Sequence, residues 1–250
     1  MASDLIAAVR RYHQAMNALR LDEVELLPAI PNPDKILCIG LNYASHVGEV
    51  GRELPKVPSV FSRLHNTLVP HGGDMIRPQA STNFDFEGEL AIVIGERCRH
   101  VPRARALSVI AGYTVASDIT ARDVVAIERA EGNQLLGKMF DTFCPMGPWF
   151  VTADEVADPM NLDLITRVNG EVRQSSNTAN MIWPIPKLIA YVSQMTLEAG
   201  DIILTGTPSG VAMGHKGGDW FLKAGDVLES ELAGIGTMRN RIIDAPDAPT

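Results

Sequence analysis

Glu87 and Glu89 flank Gly88 at the head of the apolar run Leu90-Ala91-Ile92-Val93-Ile94. In a β-strand, residues two apart share a face. The two carboxylates are therefore expected to converge, with the glycine leaving room for close approach. Like charges beside a core repel and resist desolvation unless a cation lies between them or one is protonated. A second short run, Tyr113 to Ser117, ends on Asp118. Three carboxylates at the mouths of two buried strands form an all-oxygen ligand set, which suits Mg2+ or Mn2+ better than zinc. Such a set holds one side of an octahedron and leaves the rest for water and substrate. A Glu-x-Glu pair alone usually marks a solvated strand edge; the second acid in similar surroundings shifts the reading.

Three further clusters carry chemistry. His46 and Glu49 are three apart, so one helical turn places them on the same face. A carboxylate beside an imidazole orients it and raises its basicity, which makes a general base for water. The same pair also fits a solvated surface loop, and its spacing also permits metal ligation. Lys138 lies in the Gly- and Pro-punctuated stretch 137–148. A lysine held beside a metal neutralises an enolate or carboxylate; the alternative is a lysine reaching to solvent. Asp141, in the same stretch, fits a structural loop acid. The third cluster is the turn Thr205-Gly206-Thr207-Pro208-Ser209-Gly210. Its hydroxyls and backbone N–H groups suit an anion, and a carboxylate fits better than a phosphate because no Walker pattern is present. A plain β-turn is the competing reading.

These residues need a frame. The chain has 250 residues, 46% hydrophobic and 21% charged, as expected of one large or two modest globular domains. A net charge of −8 with no basic run argues against nucleic-acid binding. No apolar stretch reaches the ~20 residues that span a bilayer, and residues 1–19 lack the pattern of a secretory signal. Cys38, Cys98 and Cys144 are odd in number and widely spaced, which points to reduced thiols and a cytoplasmic protein.

Residues 4–19 have helical spacing and residues 26–34 form a Pro-rich linker, so residues 1–34 precede the main domain. Strands are expected near 35–40, 59–61, 89–94, 113–117, 148–152, 162–168, 202–205, 227–232 and 236–242. Asn169-Gly170 marks a two-residue hairpin. Helices are few: 103–110, 121–131 and 185–195. Strands and helices do not alternate regularly, so the fold class is a β-rich α+β domain with a mixed sheet or roll over 35–243. Residues 244–250 form a tail.

The motifs Gly40–Glu49, Phe86–Leu90, Ser117–Asp123, Gly137–Pro148 and Gly206–Val211 resemble, in order, those of the fumarylacetoacetate hydrolase family. The resemblance covers about residues 35 to 243. It implies a mixed β-roll, usually a homodimer, that binds Mg2+ or Mn2+ through Glu87, Glu89 and Asp118. It further implies that Lys138 contacts the substrate's oxo or enolate oxygen and that Thr207 binds its carboxylate. His46 and Glu49 match the water-activating pair of the family's acylpyruvate hydrolase and oxaloacetate decarboxylase branch. Asn42, Tyr43 and Arg122 lie in the shared motifs and are expected to bind substrate. Arg63, His65 and His215 are further candidates for specificity, as Arg122 is, although each residue of this kind is more often a surface or structural one. The short N-terminal region and the stretch 213–221 depart from many relatives.

The expected activity is hydrolysis of a carbon–carbon bond in a 2,4-dioxo acid of the acylpyruvate or fumarylpyruvate type, sugar-derived acids included. The enolate product is stabilised by the metal and Lys138. Decarboxylation of an oxaloacetate-type acid uses the same electron sink without water attack. Isomerisation or hydration of a 2-oxo-enoic acid is the third reading. A non-catalytic metal-dependent binding protein is disfavoured, because acids, base and lysine are all present.

Overall fold

The computed structural model describes residues 23–246 except Lys216, Gly218 and Asp219. The expected helix at 4–19 and the end of the tail lie outside the described residues. Seven strands form one sheet. In spatial order they are β2 (Ser59–Arg63), β1 (Ile36–Gly40), β12 (Ile202–Leu204), β6 (Gly88–Ile94), β7 (Ile110–Ser117), β9 (Cys144–Thr152) and β3 (Leu68–Pro70). Five more form a second sheet: β11 (Glu171–Asn177), β10 (Asp163–Val168), β13 (Val227–Leu232), β14 (Gly236–Asp244) and β4 (Asp74–Arg77). A ribbon pairs β5 (Phe84–Asp85) with β8 (Thr120–Ala121). The α-helices are α1 (Ala44–Glu49), α2 (Arg122–Ala130) and α3 (Ile185–Val192). Among the described residues, no helix is long and apolar enough to cross a membrane.

Both sheets are mixed: β1 runs parallel to β12 and β4 parallel to β14, while most other neighbours are antiparallel. Every residue of β6 is buried, as its unbroken apolar run requires. β10 and β13 alternate inward and outward residues instead, because only one face meets the core. Leu90, Ile92 and Val115 of the first sheet join Leu164, Leu232 and Met238 of the second in one buried cluster. α3 adds Ile185, Leu188, Ile189 and Val192 to it, the spacing of one helical face. The hairpin between β10 and β11 turns on Asn169 and Gly170, with φ of 53° and 81°, the left-handed pair a tight hairpin requires.

Glu87, expected with Glu89 in one strand, lies in a break between β5 and β6. Phe86 N–H donates to Oδ1 of Asp85 at 2.8 Å and Glu87 N–H to Oγ of Ser117 at 3.2 Å. Side chains thus take the bonds that a strand neighbour would make. The helix expected at 103–110 is a 3-10 segment, Arg103–Val109.

Register brings the site together. β6 pairs with β7 so that Gly88 faces Ser117, and Asp118 N–H donates to Glu87 C=O at 2.9 Å. β12 pairs antiparallel with β6 and parallel with β1. The head of β6 and the tails of β7, β12 and β1 therefore share one edge of the sheet.

Candidate active site

That edge carries Glu87, Glu89 and Asp118, all buried, with one ligand oxygen from each lying within 4.8 Å of the others. Lys138 joins them: its Nζ donates to Oε2 of Glu87 at 2.8 Å and to Oδ2 of Asp118 at 2.6 Å. The lysine is 4% exposed, so the solvent-reaching alternative does not hold.

Two arginines fix the acids from behind. Arg63 Nε donates to Oδ1 of Asp118 at 2.6 Å, and its Nη atoms donate to the same oxygen and to the carbonyls of Lys138 and Ile119. Arg122 bridges Oδ2 of Asp85 at 2.7 Å and Oε1 of Glu87 at 2.6 Å. Asp85 also accepts the backbone N–H groups of Phe86, Ala212 and Met213.

Four buried carboxylates (Asp85, Glu87, Glu89, Asp118) thus face three buried cations (Arg63, Arg122, Lys138). The mismatch falls on Glu89. Burial pushes its carboxyl well above the usual range, and the neighbouring Asp118 and Glu87 push it further. Burial acts the same way on Glu87, but Arg122, Lys138 and His46 outweigh it and hold that carboxyl well below the usual range. A surplus negative charge among hard oxygen donors fits a divalent cation such as Mg2+ or Mn2+. Glu87, Glu89 and Asp118 would hold it.

The acids and Lys138 line a cavity of about 580 Å³, with Arg122 and Thr207 also in its wall. Thr207 Oγ1 donates to Gly88 C=O at 3.0 Å and accepts from Nε2 of Gln174 at 2.8 Å. His46 and Glu49 lie beside the cavity rather than in its lining. Nδ1 of His46 is 3.1 Å from Oε2 of Glu49, whose Oε1 accepts the Gly210 N–H at 2.8 Å. Nε2 of His46 makes no hydrogen bond among the described residues.

Asn42 and Tyr43 are fully buried and also lie outside the cavity lining. The Asn42 amide is taken by main chain: it donates to the carbonyls of Trp183 and Thr205 and accepts from Trp183 N–H. It ties the end of β1 to the end of β12. The Tyr43 hydroxyl has no partner among the described residues, and burial, then Glu89, raises its pKa. His65 is exposed, and His215 stacks on Trp220 at 3.7 Å, neither of them in the cavity wall. Asp141 accepts from Asn66 at 2.8 Å, as a loop acid.

The turn read as an anion site binds the protein's own acids. Gly206 N–H donates to Oε2 of Glu89 at 2.6 Å, Gly210 N–H to Glu49, and Ala212 and Met213 N–H to Asp85. One main-chain segment therefore positions Glu89 of the candidate metal site, the partner of the imidazole and the partner of Arg122.

Comparison with known proteins decides the family. The fumarylacetoacetate (FAA) hydrolase C-terminal family matches residues 35–243. The human mitochondrial oxaloacetate tautomerase FAHD2B is 44% identical over 241 residues, covering 96% of this chain and 76% of that protein. The chain belongs to the fumarylacetoacetate hydrolase family. Its fold agrees: the 5-carboxymethyl-2-hydroxymuconate delta-isomerase of Mycobacterium smegmatis superposes with a TM-score of 0.80 at 38% identity, covering 93% of this chain and 87% of that one. The maleylpyruvate hydrolase of Sphingobium sp. SYK-6, solved with manganese(II) and pyruvate, gives 0.81 at 32% identity, covering 98% and 83%. Members of the fumarylacetoacetate hydrolase family are enzymes, and these relatives are named for reactions of small carboxylic acids.

Asp85 escaped the sequence reading, although it continues the two-residue period of Glu87 and Glu89 and was open to the same argument. Arg52 and Arg129 also line the cavity and were not singled out from the sequence; Arg129 lies seven residues from Arg122, about two turns along the same helix face, whereas Arg52 carries no such signal.

Proposed function

We propose that this protein is a divalent-metal-dependent isomerase that interconverts the keto and enol forms of a 2-oxo acid. The observation that carries the reading is the bridging position of Lys138 between Glu87 and Asp118, in a cavity wall that also holds Glu89. This wall is built to stabilise negative charge on a substrate oxygen. Glu87, Glu89 and Asp118 would hold a Mg2+ or Mn2+ ion, which would supply Lewis acidity to the 2-oxo group.

The chain's own residues handle the proton. His46, oriented through Nδ1 by Glu49, keeps Nε2 free to take the C3 proton of the substrate through one intervening water, since the imidazole stands beside the cavity lining. The C–H electron pair moves into the C2–C3 bond, and the oxygen at C2 becomes an enolate. Lys138 donates to that oxygen, and transfer of its proton gives the enol. The imidazolium returns its proton to solvent, and Lys138 is reprotonated from solvent.

The name of the tautomerase relative at 44% identity supports isomerisation. Hydrolysis of a 2,4-dioxo acid is a second reading, favoured by the intact His46–Glu49 pair. Both reactions develop negative charge on the oxygen at C2, on the substrate's own enolate in isomerisation and on the released pyruvate-type enolate in hydrolysis.

Proton NMR in D2O separates them. Oxaloacetate and acetylpyruvate are each incubated with enzyme and Mn2+ at low occupancy, or Mg2+. Accelerated deuterium exchange at C3 of oxaloacetate, with acetylpyruvate uncleaved, is the expected result. Release of acetate and pyruvate from acetylpyruvate without faster exchange would move the function to hydrolysis.

A further inference from the structure

We infer that Arg52 and Arg129 form a subsite for a distal carboxylate of the substrate, making the enzyme selective for 2-oxo diacids. The inference rests on the 2-oxo-acid reading above and adds to it the residues that read the far end of the molecule.

Both arginines line the same cavity as Glu87, Glu89, Asp118 and Lys138. They come from separate elements: Arg52 follows α1, and Arg129 sits in the last turn of α2. The acids and Lys138 are buried whereas both arginines are exposed, so the guanidinium groups mark the cavity mouth. Among the described residues, no carboxylate lies within ion-pairing distance of either one. Gln134 orients Arg129 instead, its Oε1 accepting from Nε at 3.0 Å and Nη2 at 2.8 Å. This leaves Nη1 without a hydrogen bond among the described residues.

Two unpaired guanidinium groups facing one cleft repel each other, and a bound anion relieves that repulsion. Desolvation, then Arg52 and Arg122, lower the pKa of Arg129, as expected where positive charges converge. Between the two ends, Val50, Val125, Ala126 and Met213 give the wall an apolar stretch suited to a carbon chain. At about 580 Å³ the cavity has room for a chain longer than four carbons. Arginine is the side chain best suited to a carboxylate, since its planar fork donates two parallel hydrogen bonds.

The test is calorimetric binding, with Mg2+ present, of two acids that differ only at the far end: 2-oxoadipate and 2-oxohexanoate. Wild type is expected to bind the diacid about tenfold or more tightly, the effect of one charge-assisted pair. In Arg52→Gln/Arg129→Gln this ratio falls to within about twofold, and Arg129→Lys restores part of it. Equal affinity of wild type for the two acids, or an equal loss for both in the variant, would overturn the subsite alone. Failure of both acids to bind wild type would overturn the 2-oxo-acid reading and the subsite with it.

Discussion

The backbone N–H of Gly206 donates to Oε2 of Glu89 at 2.6 Å, and among the described residues this is the only hydrogen bond that carboxylate receives. The geometry depends on glycine. Gly206 has a φ of 94°, and a Cβ there would lie 2.7 Å from Cβ of Asn42 and 2.8 Å from the Ile39 carbonyl. Gly206→Ala is therefore expected to lose about 2–3 kcal/mol of stability, measured by urea denaturation, and to weaken Mn2+ binding by displacing Glu89. An alanine variant as stable as wild type would contradict this.

Glu89 is the buried charge without a cation. Replacing it with a neutral isostere removes that burden in metal-free protein and removes a ligand in metal-loaded protein. Glu89→Gln is expected to raise the metal-free Tm by about 2–4 °C, equivalent to about 1 kcal/mol in a chain of this size. The stabilisation that Mn2+ gives wild type should be largely lost. Scanning calorimetry with and without Mn2+ reads both effects. A lower metal-free Tm with an undiminished Mn2+ shift would show that the surplus charge lies elsewhere.

Arg63 has the opposite role, because its removal leaves Asp118 unpaired. Its side chain is fully buried and every partner it holds belongs to the site: Asp118 and the carbonyls of Lys138 and Ile119. Arg63→Ala is expected to cost about 3–5 kcal/mol in metal-free protein, with Mn2+ recovering part of the loss. A loss below about 1 kcal/mol would mean that Asp118 finds another partner.

Asp123 supplies a pH-dependent contribution away from the buried acids Glu87, Glu89 and Asp118. Burial acts to raise its pKa, but hydrogen bonds from Ser81 and from the N–H groups of Thr82 and Val124 outweigh it and lower the value. A carboxyl with a depressed folded pKa stabilises above its unfolded pKa of about 3.9 and loses that contribution as pH falls through the folded value. Asp123→Ala should cost about 1 kcal/mol at pH 7. The gap from wild type should shrink below about pH 4, as followed by urea melts across pH. A gap that widens with acid would reverse the assignment.

The sequence made the active-site acids legible because each signal was local. Glu87 and Glu89 stand two apart, His46 and Glu49 three apart, and Asp118 ends an apolar run. The strands at 227–232 and around Asn169-Gly170 were legible for the same reason, through period and turn chemistry. The break at Phe86–Glu87 was hidden because side chains from Asp85 and Ser117 compete for the backbone N–H groups there. The Gly-rich turn at 205–210 was legible as a set of backbone N–H groups suited to a carboxylate, but it was hidden that this turn and the following Ala212 and Met213 hold the protein's own Glu89, Glu49 and Asp85. Which acid a backbone donor meets leaves no mark in local sequence. Asn42 was legible as part of a motif, but its ties to Trp183 and Thr205 span more than 140 positions and have no local signature.

The central claim is that the three acids and Lys138 form one centre for enolate chemistry. Its most direct test is the rate at which enol-oxaloacetate is converted to the keto form, followed by loss of enol absorbance. Wild type and Lys138→Met are compared with Mg2+ and with excess EDTA. The account predicts a Mg2+-dependent acceleration by wild type, abolished by EDTA and reduced about 100-fold or more in the variant. Acceleration that survives EDTA, or that Lys138→Met retains in full, would contradict it.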